Sequence, residues 1–105
     1  MKANLTPYYQ AIAEVVSQNA PTGWRKAWVP AEVNNDNSEY SYHFIDEQGQ
    51  KSWFHVGNAN DDFQVHQSLK ALRSAMQQEG GDAWTKCVFT LYPDGRFQLD
   101  VEYDR

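Results

Sequence analysis

The sequence predicts an α+β fold in the order α-β-β-β-α-β-β, an antiparallel sheet with two helices packed on one face. The first observation behind this is the stretch Cys87–Asp104, CVFTLYPDGRFQLDVEYD, two strand-like runs joined at Pro93-Asp94-Gly95. Beyond the turn, Phe97, Leu99, Val101 and Tyr103 alternate with Gln98, Asp100, Glu102 and Asp104, the period of a half-buried strand. Pro93 presets φ for a tight turn, Asp94 tolerates turn geometry and Gly95 can adopt positive φ. The second is a pair of stretches with apolar residues at helical spacing, near the N-terminus and after residue 60. The third is a cluster of strand-like runs between them. Antiparallel hairpins punctuated by helices place the helices over one sheet face.

Residues 5–19 read as the first helix. Thr6 is suited to the N-cap and Pro7 to the first helical position, where a missing N–H costs nothing. Leu5 can staple the entry, and Tyr8, Ile12, Val15 and Val16 form the apolar stripe. Pro21, Thr22 and Gly23 end the helix. Residues 24–33 read as the first strand, with Ala27, Val29, Ala31 and Val33 on the core face and Trp24, Lys26, Trp28, Pro30 and Glu32 opposite. Pro30 lacks a ladder donor, which predicts an edge strand or a bulge. Asn34–Ser38 is a polar turn, and Tyr40–Asp46 and Lys51–Val56 are two further strands about Gly49, completing a three-stranded meander. After a connector at Gly57–Asn60, Asp61 or Asp62 can cap a second helix that runs to about Glu79 and stops at Gly80-Gly81. Its apolar face is Phe63, Leu69, Leu72 and Met76.

The 105 residues suit one domain, residues 1–105, with a core that needs no disulfide or metal. Fourteen acids against nine bases give a net charge of −5, which disfavours direct nucleic-acid binding and suits a basic partner. No apolar run approaches a bilayer span, and the N-terminus lacks a secretory pattern. With Cys87 as the one cysteine, no intrachain disulfide can form, and the expected location is the cytoplasm.

No phosphate-cradling glycine motif, nucleophile elbow or zinc spacing is present, so no catalytic, cofactor or metal residue is assigned. A catalytic His43–His55 pair requires both rings on one sheet face beside a carboxylate. A three-residue loop about Gly49 would place them so, and a two- or four-residue loop would not. Cys87 reads as a small packed hydrophobe. Asp100, Glu102 and Asp104 read either as solvation of an exposed face or as a rail for a basic partner. Trp53 and Trp84 read as core. Trp28, on the polar face of its strand, reads either as an interface anchor or as packed against the first helix or a loop.

Four passages carry a resemblance: Pro21-Thr22-Gly23-Trp24-Arg25-Lys26; Tyr40-Ser41-Tyr42-His43-Phe44 with Trp53-Phe54; Trp84-Thr85-Lys86-Cys87-Val88-Phe89; and Asp94-Gly95-Arg96-Phe97 with Asp100-Val101-Glu102-Tyr103-Asp104. With them the chain resembles the YezG-like family of bacterial immunity proteins, antitoxins of polymorphic secreted toxins of the kind used in contact-dependent growth inhibition. The resemblance implies a stoichiometric inhibitor without catalysis or cofactor. Its partner would be a cognate toxin domain, a basic nuclease, with no nucleic acid or membrane bound directly, and the protein itself would be a monomer or weak dimer. The expected contacts are Glu32, Asp36, Asp46, Glu47, Asp100, Glu102 and Asp104, with Trp28 as an apolar anchor.

Overall fold

The structure is a computed structural model that describes residues 5–34, 38–78 and 84–102. Its elements are α1 (Thr6–Asn19), β1 (Lys26–Val33), β2 (Ser38–Tyr40), β3 (Tyr42–Ile45), β4 (Lys51–Phe54), α2 (Ala59–Gln78), β5 (Lys86–Leu91) and β6 (Phe97–Glu102). The strands form one antiparallel sheet in the order β4-β3-β1-β5-β6, with β2 also paired to β1. The α+β class holds, and the order becomes α-β-β-β-β-α-β-β because the predicted second strand is divided.

The division has a local cause. Trp28 opposite His43 and Ala31 opposite Tyr40 belong to one continuous register, interrupted at Pro30 and Ser41. Ser41 donates its amide to the Pro30 carbonyl at 3.3 Å, and Pro30 has no N–H to return the bond. One rung of the ladder is therefore half-made. The expectation that Pro30 marks an edge strand is wrong: β1 is central, between β3 and β5. The N and C=O of one residue point to the same side of a strand, so the β5 side of Pro30 loses nothing.

The alternation in β1 is as expected, with Ala27, Val29, Ala31 and Val33 buried. Register carries the same face to Leu91, Phe89 and Cys87 on β5 and to Phe97, Leu99 and Val101 on β6. Ile12, Val15 and Val16 of α1 join Val65, Leu69 and Leu72 of α2 in the same core cluster. Trp84 is fully buried; its indole N–H donates to Met76 Sδ at 3.4 Å, and its carbonyl accepts from Arg73 Nε at 2.8 Å. Phe97 faces the core side from an edge strand and stays partly exposed, stacked on Phe89 and tilted against Tyr9.

Both helix starts differ from expectation. Thr6 lies inside α1, whose N-cap is Leu5 with no side-chain cap bond. Asn58, rather than Asp61 or Asp62, caps α2: its Oδ1 accepts the amides of Asn60 (2.8 Å) and Asp61 (3.2 Å). β4 ends at Phe54 rather than Val56. Trp53 is 61% exposed rather than core, and Phe63 is exposed on α2. Glu79, Gly80, Gly81 and Tyr103 fall outside the described residues.

Candidate functional site

Both helices join the core on one side, and among the described residues no helix covers the opposite sheet face. Alternation assigns it Lys26, Trp28, Pro30 and Glu32 of β1, Lys86, Val88 and Thr90 of β5, and Gln98, Asp100 and Glu102 of β6. One row across the sheet runs Glu39–Glu32–Lys86–Glu102, each residue the register partner of the next. Glu32 and Glu39 are like charges directly opposite each other, an arrangement that destabilises a pair of strands. Beside them Pro30 and Val88 help line a concavity of about 790 Å³, walled by Glu32, Glu39, Asp100 and Glu102 with Lys86 among them. The Asp100 carboxylate is held by Gln98 Nε2, 2.9 Å from each oxygen.

An aromatic strip continues this face towards β4. Trp28 stacks on His43 at 5.6 Å and 14°, with Lys26 Nζ 5.8 Å from the indole centroid. His43 is in register with Trp53, and Trp53 meets His55 edge-on at 4.6 Å. The Trp28 ring is thus part of the open face, half-buried against its strand neighbours. The Asp46 amide donates to the Gln50 carbonyl, closing a three-residue loop with Gly49 at φ 78°. That loop puts His43 and His55 on one side, the alternative the spacing left open.

The other expected contacts are spread out. Asp46 Oδ1 accepts the amides of Gln48 and Gln50 at 2.9 Å each, so this carboxylate builds its own turn. Glu47 is exposed in the same loop. Asp36 and Asp104 lie outside the described residues. Sequence reasoning missed Glu39 and the exposed Trp53. The alternation of β1 foretold the face, but only strand pairing places Glu39 against Glu32.

The histidines also meet the geometric condition set for an enzyme in part. His43 Nε2 lies 2.8 Å from Ser41 Oγ, and both histidines line a notch with Asp62. Among the described residues no hydrogen bond orients the other nitrogen of His43, whereas a serine–histidine nucleophile needs such an orienting group. Cys87 faces the core, and burial pushes its thiol up to about 12, which keeps it protonated and unreactive. In the β5–β6 turn the Arg96 backbone amide, and then its guanidinium, hold the Asp94 carboxyl below its usual range. Among the described residues no group of His, Cys, Asp or Glu is placed to hold a metal ion, and no helix is long and apolar enough to cross a membrane.

Fold and face together define a class: a two-layer α+β protein with its helices on one side of the sheet and an acidic, aromatic-flanked open face on the other. The family model for YezG-like immunity proteins matches residues 5–105, and the chain belongs to that family. It is 28% identical over 107 residues to Immunity protein YezG of Bacillus subtilis strain 168, an alignment covering 91% of this chain and 71% of that protein. It is 24% identical over 108 residues to Immunity protein YezG of Bacillus spizizenii strain ATCC 23059, covering 91% of this chain and 66% of that protein. Membership of an immunity family implies a toxin partner and a role that is generally non-enzymatic.

Proposed function

We propose that this protein is a cytosolic immunity protein that neutralises a cognate secreted toxin, a nuclease, by laying its open sheet face over the basic substrate cleft. The observation that carries this is the row Glu39–Glu32–Lys86–Glu102 beside the acidic concavity. Four acids and one base give the concavity a formal charge of −3. The opposed pair Glu32–Glu39 gains twice from a toxin cation placed between them: a new attraction forms and an existing repulsion is relieved. A nuclease cleft is built to hold phosphates, so an acidic face competes for the same cations and is drawn in at high on-rate. The aromatic strip from Trp28 to Trp53 supplies apolar area at the edge of the acidic patch.

Co-expression tests the reading. Cells carrying the toxin encoded beside this protein should survive when it is present and die when it is absent. Equal killing in both overturns it. The Ser41–His43 contact supports a second reading, a small hydrolase. Turnover of an activated ester by the protein alone, lost in Ser41→Ala, favours the hydrolase; no turnover leaves neutralisation by binding.

A further inference from the structure

The open sheet face carries opposite charge at its two ends. Register builds it in rows across the strands, about 7 Å from one row to the next. At one end lies the acid row Glu39–Glu32–Lys86–Glu102. At the other, Lys26 stands opposite Ile45, and Ile45 opposite Lys51. On the β5 side the same end holds Tyr92, whose amide donates to the Arg96 carbonyl one step beyond the Leu91–Phe97 pair. The Arg96 guanidinium lies 5.2 Å from the Tyr92 ring centre. Between the ends run the aromatic row Trp53–His43–Trp28 and the row of Pro30, Val88 and Asp100. The acidic end holds −3, as counted above. The other end holds Lys26, Lys51 and Arg96, with Asp94 paired to Arg96. Of the acids in the nearby β3–β4 loop, Asp46 is bound by its own turn and the Glu47 carboxylate sits against Gly23.

We infer that this face binds a second copy of the chain, sheet on sheet, about a two-fold axis that runs across the strands. Such an axis turns one sheet over and reverses its strand direction, while each strand keeps its place in the order. The charged ends are thereby exchanged. Lys26 of each copy meets Glu32 of the other, and Arg96 meets Glu102. The rows run from residue 26 to residue 32 on β1, so the aromatic row falls on the row of Pro30 and Val88. Trp28 gains an apolar partner there, and Trp53, exposed on β4, is covered. An axis along the strands instead sets acid on acid, so the charge pattern selects one arrangement. Five strands and four rows span a patch of about 650 Å² per copy, or about 1,300 Å² in total, the low end of a specific interface. A net charge of −5 on each copy opposes association. The dimer is accordingly weak, with a Kd on the order of 0.1 mM. On the toxin-binding role proposed above, the toxin displaces the second copy from this face; that competition rests on the proposed role, whereas the self-association does not.

Sedimentation equilibrium of the full chain, from about 5 µM to about 1 mM, should follow a monomer–dimer equilibrium centred near 0.1 mM, about the Kd above. Lys26→Glu and Glu32→Lys each set like charges at both symmetric contacts, and each should weaken pairing about tenfold or more. Mixed together, the two variants restore opposite charges at both contacts, so the mixture should pair about as tightly as the unaltered protein. Neither side chain belongs to the buried core, and thermal melts of each variant check its folding. A chain that stays monomeric at about 1 mM, a dimer indifferent to both variants, or a mixture no tighter than either variant alone overturns the pairing. Adding the toxin domain to the unaltered protein should convert the dimer into a complex of one copy with one toxin. A complex that keeps two copies paired overturns the competition. A toxin bound by a chain that never pairs overturns the dimer and leaves the proposed function standing. A chain that pairs and does not bind the toxin overturns the proposed function and leaves the dimer.

Discussion

Reversing the charge of Asp100 and Glu102 together, as Asp100→Lys and Glu102→Lys, should weaken toxin binding by about a thousandfold at low salt. Both side chains are exposed on β6 and wall the concavity, so each can approach a toxin cation closely. At about 4 Å in a water-like medium, one charge pair is worth about 1 kcal/mol. Reversal replaces that attraction with an equal repulsion, about 2 kcal/mol per position and about 4 kcal/mol for two. At about 1.4 kcal/mol per decade this is close to three decades in Kd. Screening shrinks the effect, so the gap between variant and unaltered protein should narrow as salt rises from about 0.05 M to about 0.5 M. Isothermal titration calorimetry against the toxin domain at both salt concentrations measures it, with thermal melts of the free protein as the folding control. Neither acid belongs to the buried core, so the melts should nearly coincide. A loss below about threefold, or a large loss independent of salt, refutes the electrostatic reasoning.

Asn58→Ala removes the side-chain cap of α2 and should cost about 1 kcal/mol in denaturant unfolding; Asp61→Ala should cost less, and the reverse order contradicts the cap assignment. Pro30→Val restores an N–H opposite Ser41. The gained hydrogen bond, about 1 kcal/mol, roughly offsets the looser unfolded chain, so stability should change by less than about 1 kcal/mol while the new amide at position 30 exchanges slowly. Cys87 is raised by burial from 9.0 to about 12, so the folded state keeps a proton that the unfolded chain loses. Its contribution to stability is intact below pH 9 and falls as pH rises towards about 12, by at most about 1.4 kcal/mol per pH unit. Cys87→Ala should flatten the fall between about pH 9 and pH 10 in urea titrations, and an unchanged slope assigns it to other groups.

Much of the fold was legible because its signals are local. The alternation Ala27, Val29, Ala31, Val33 depends only on backbone pleat, and it reappears as the buried face of β1. The two helical stripes and the glycine turns at Gly49 and Gly95 are equally local, and both glycines adopt positive φ. The resemblance carried by the terminal strings led to the family that the chain belongs to. Two of the readings that failed assumed a neighbour. Pro30 looked like an edge residue because a lone strand does not reveal which of its sides needs a donor. Trp53 looked like core because large rings usually find one, yet β4 is the last strand of the sheet and, among the described residues, no helix covers its outward face.

By itself, then, the sequence determined both helices and every strand except the separate β2, which side of β1 and β6 is apolar, and that the other side of β6 is acidic. Tertiary structure alone decided that β1 is central and that the terminal hairpin docks on its far side from β3. That choice places Glu102 in one row with Lys86, Glu32 and Glu39, residues from four strands. It also brings Asp62 of α2 to the aromatic end of β4. Periodicity is written within a strand by its own pleat, whereas a charged row or a notch is written between strands by register and order. Those depend on the whole core closing at once, and no single stretch of chain encodes them.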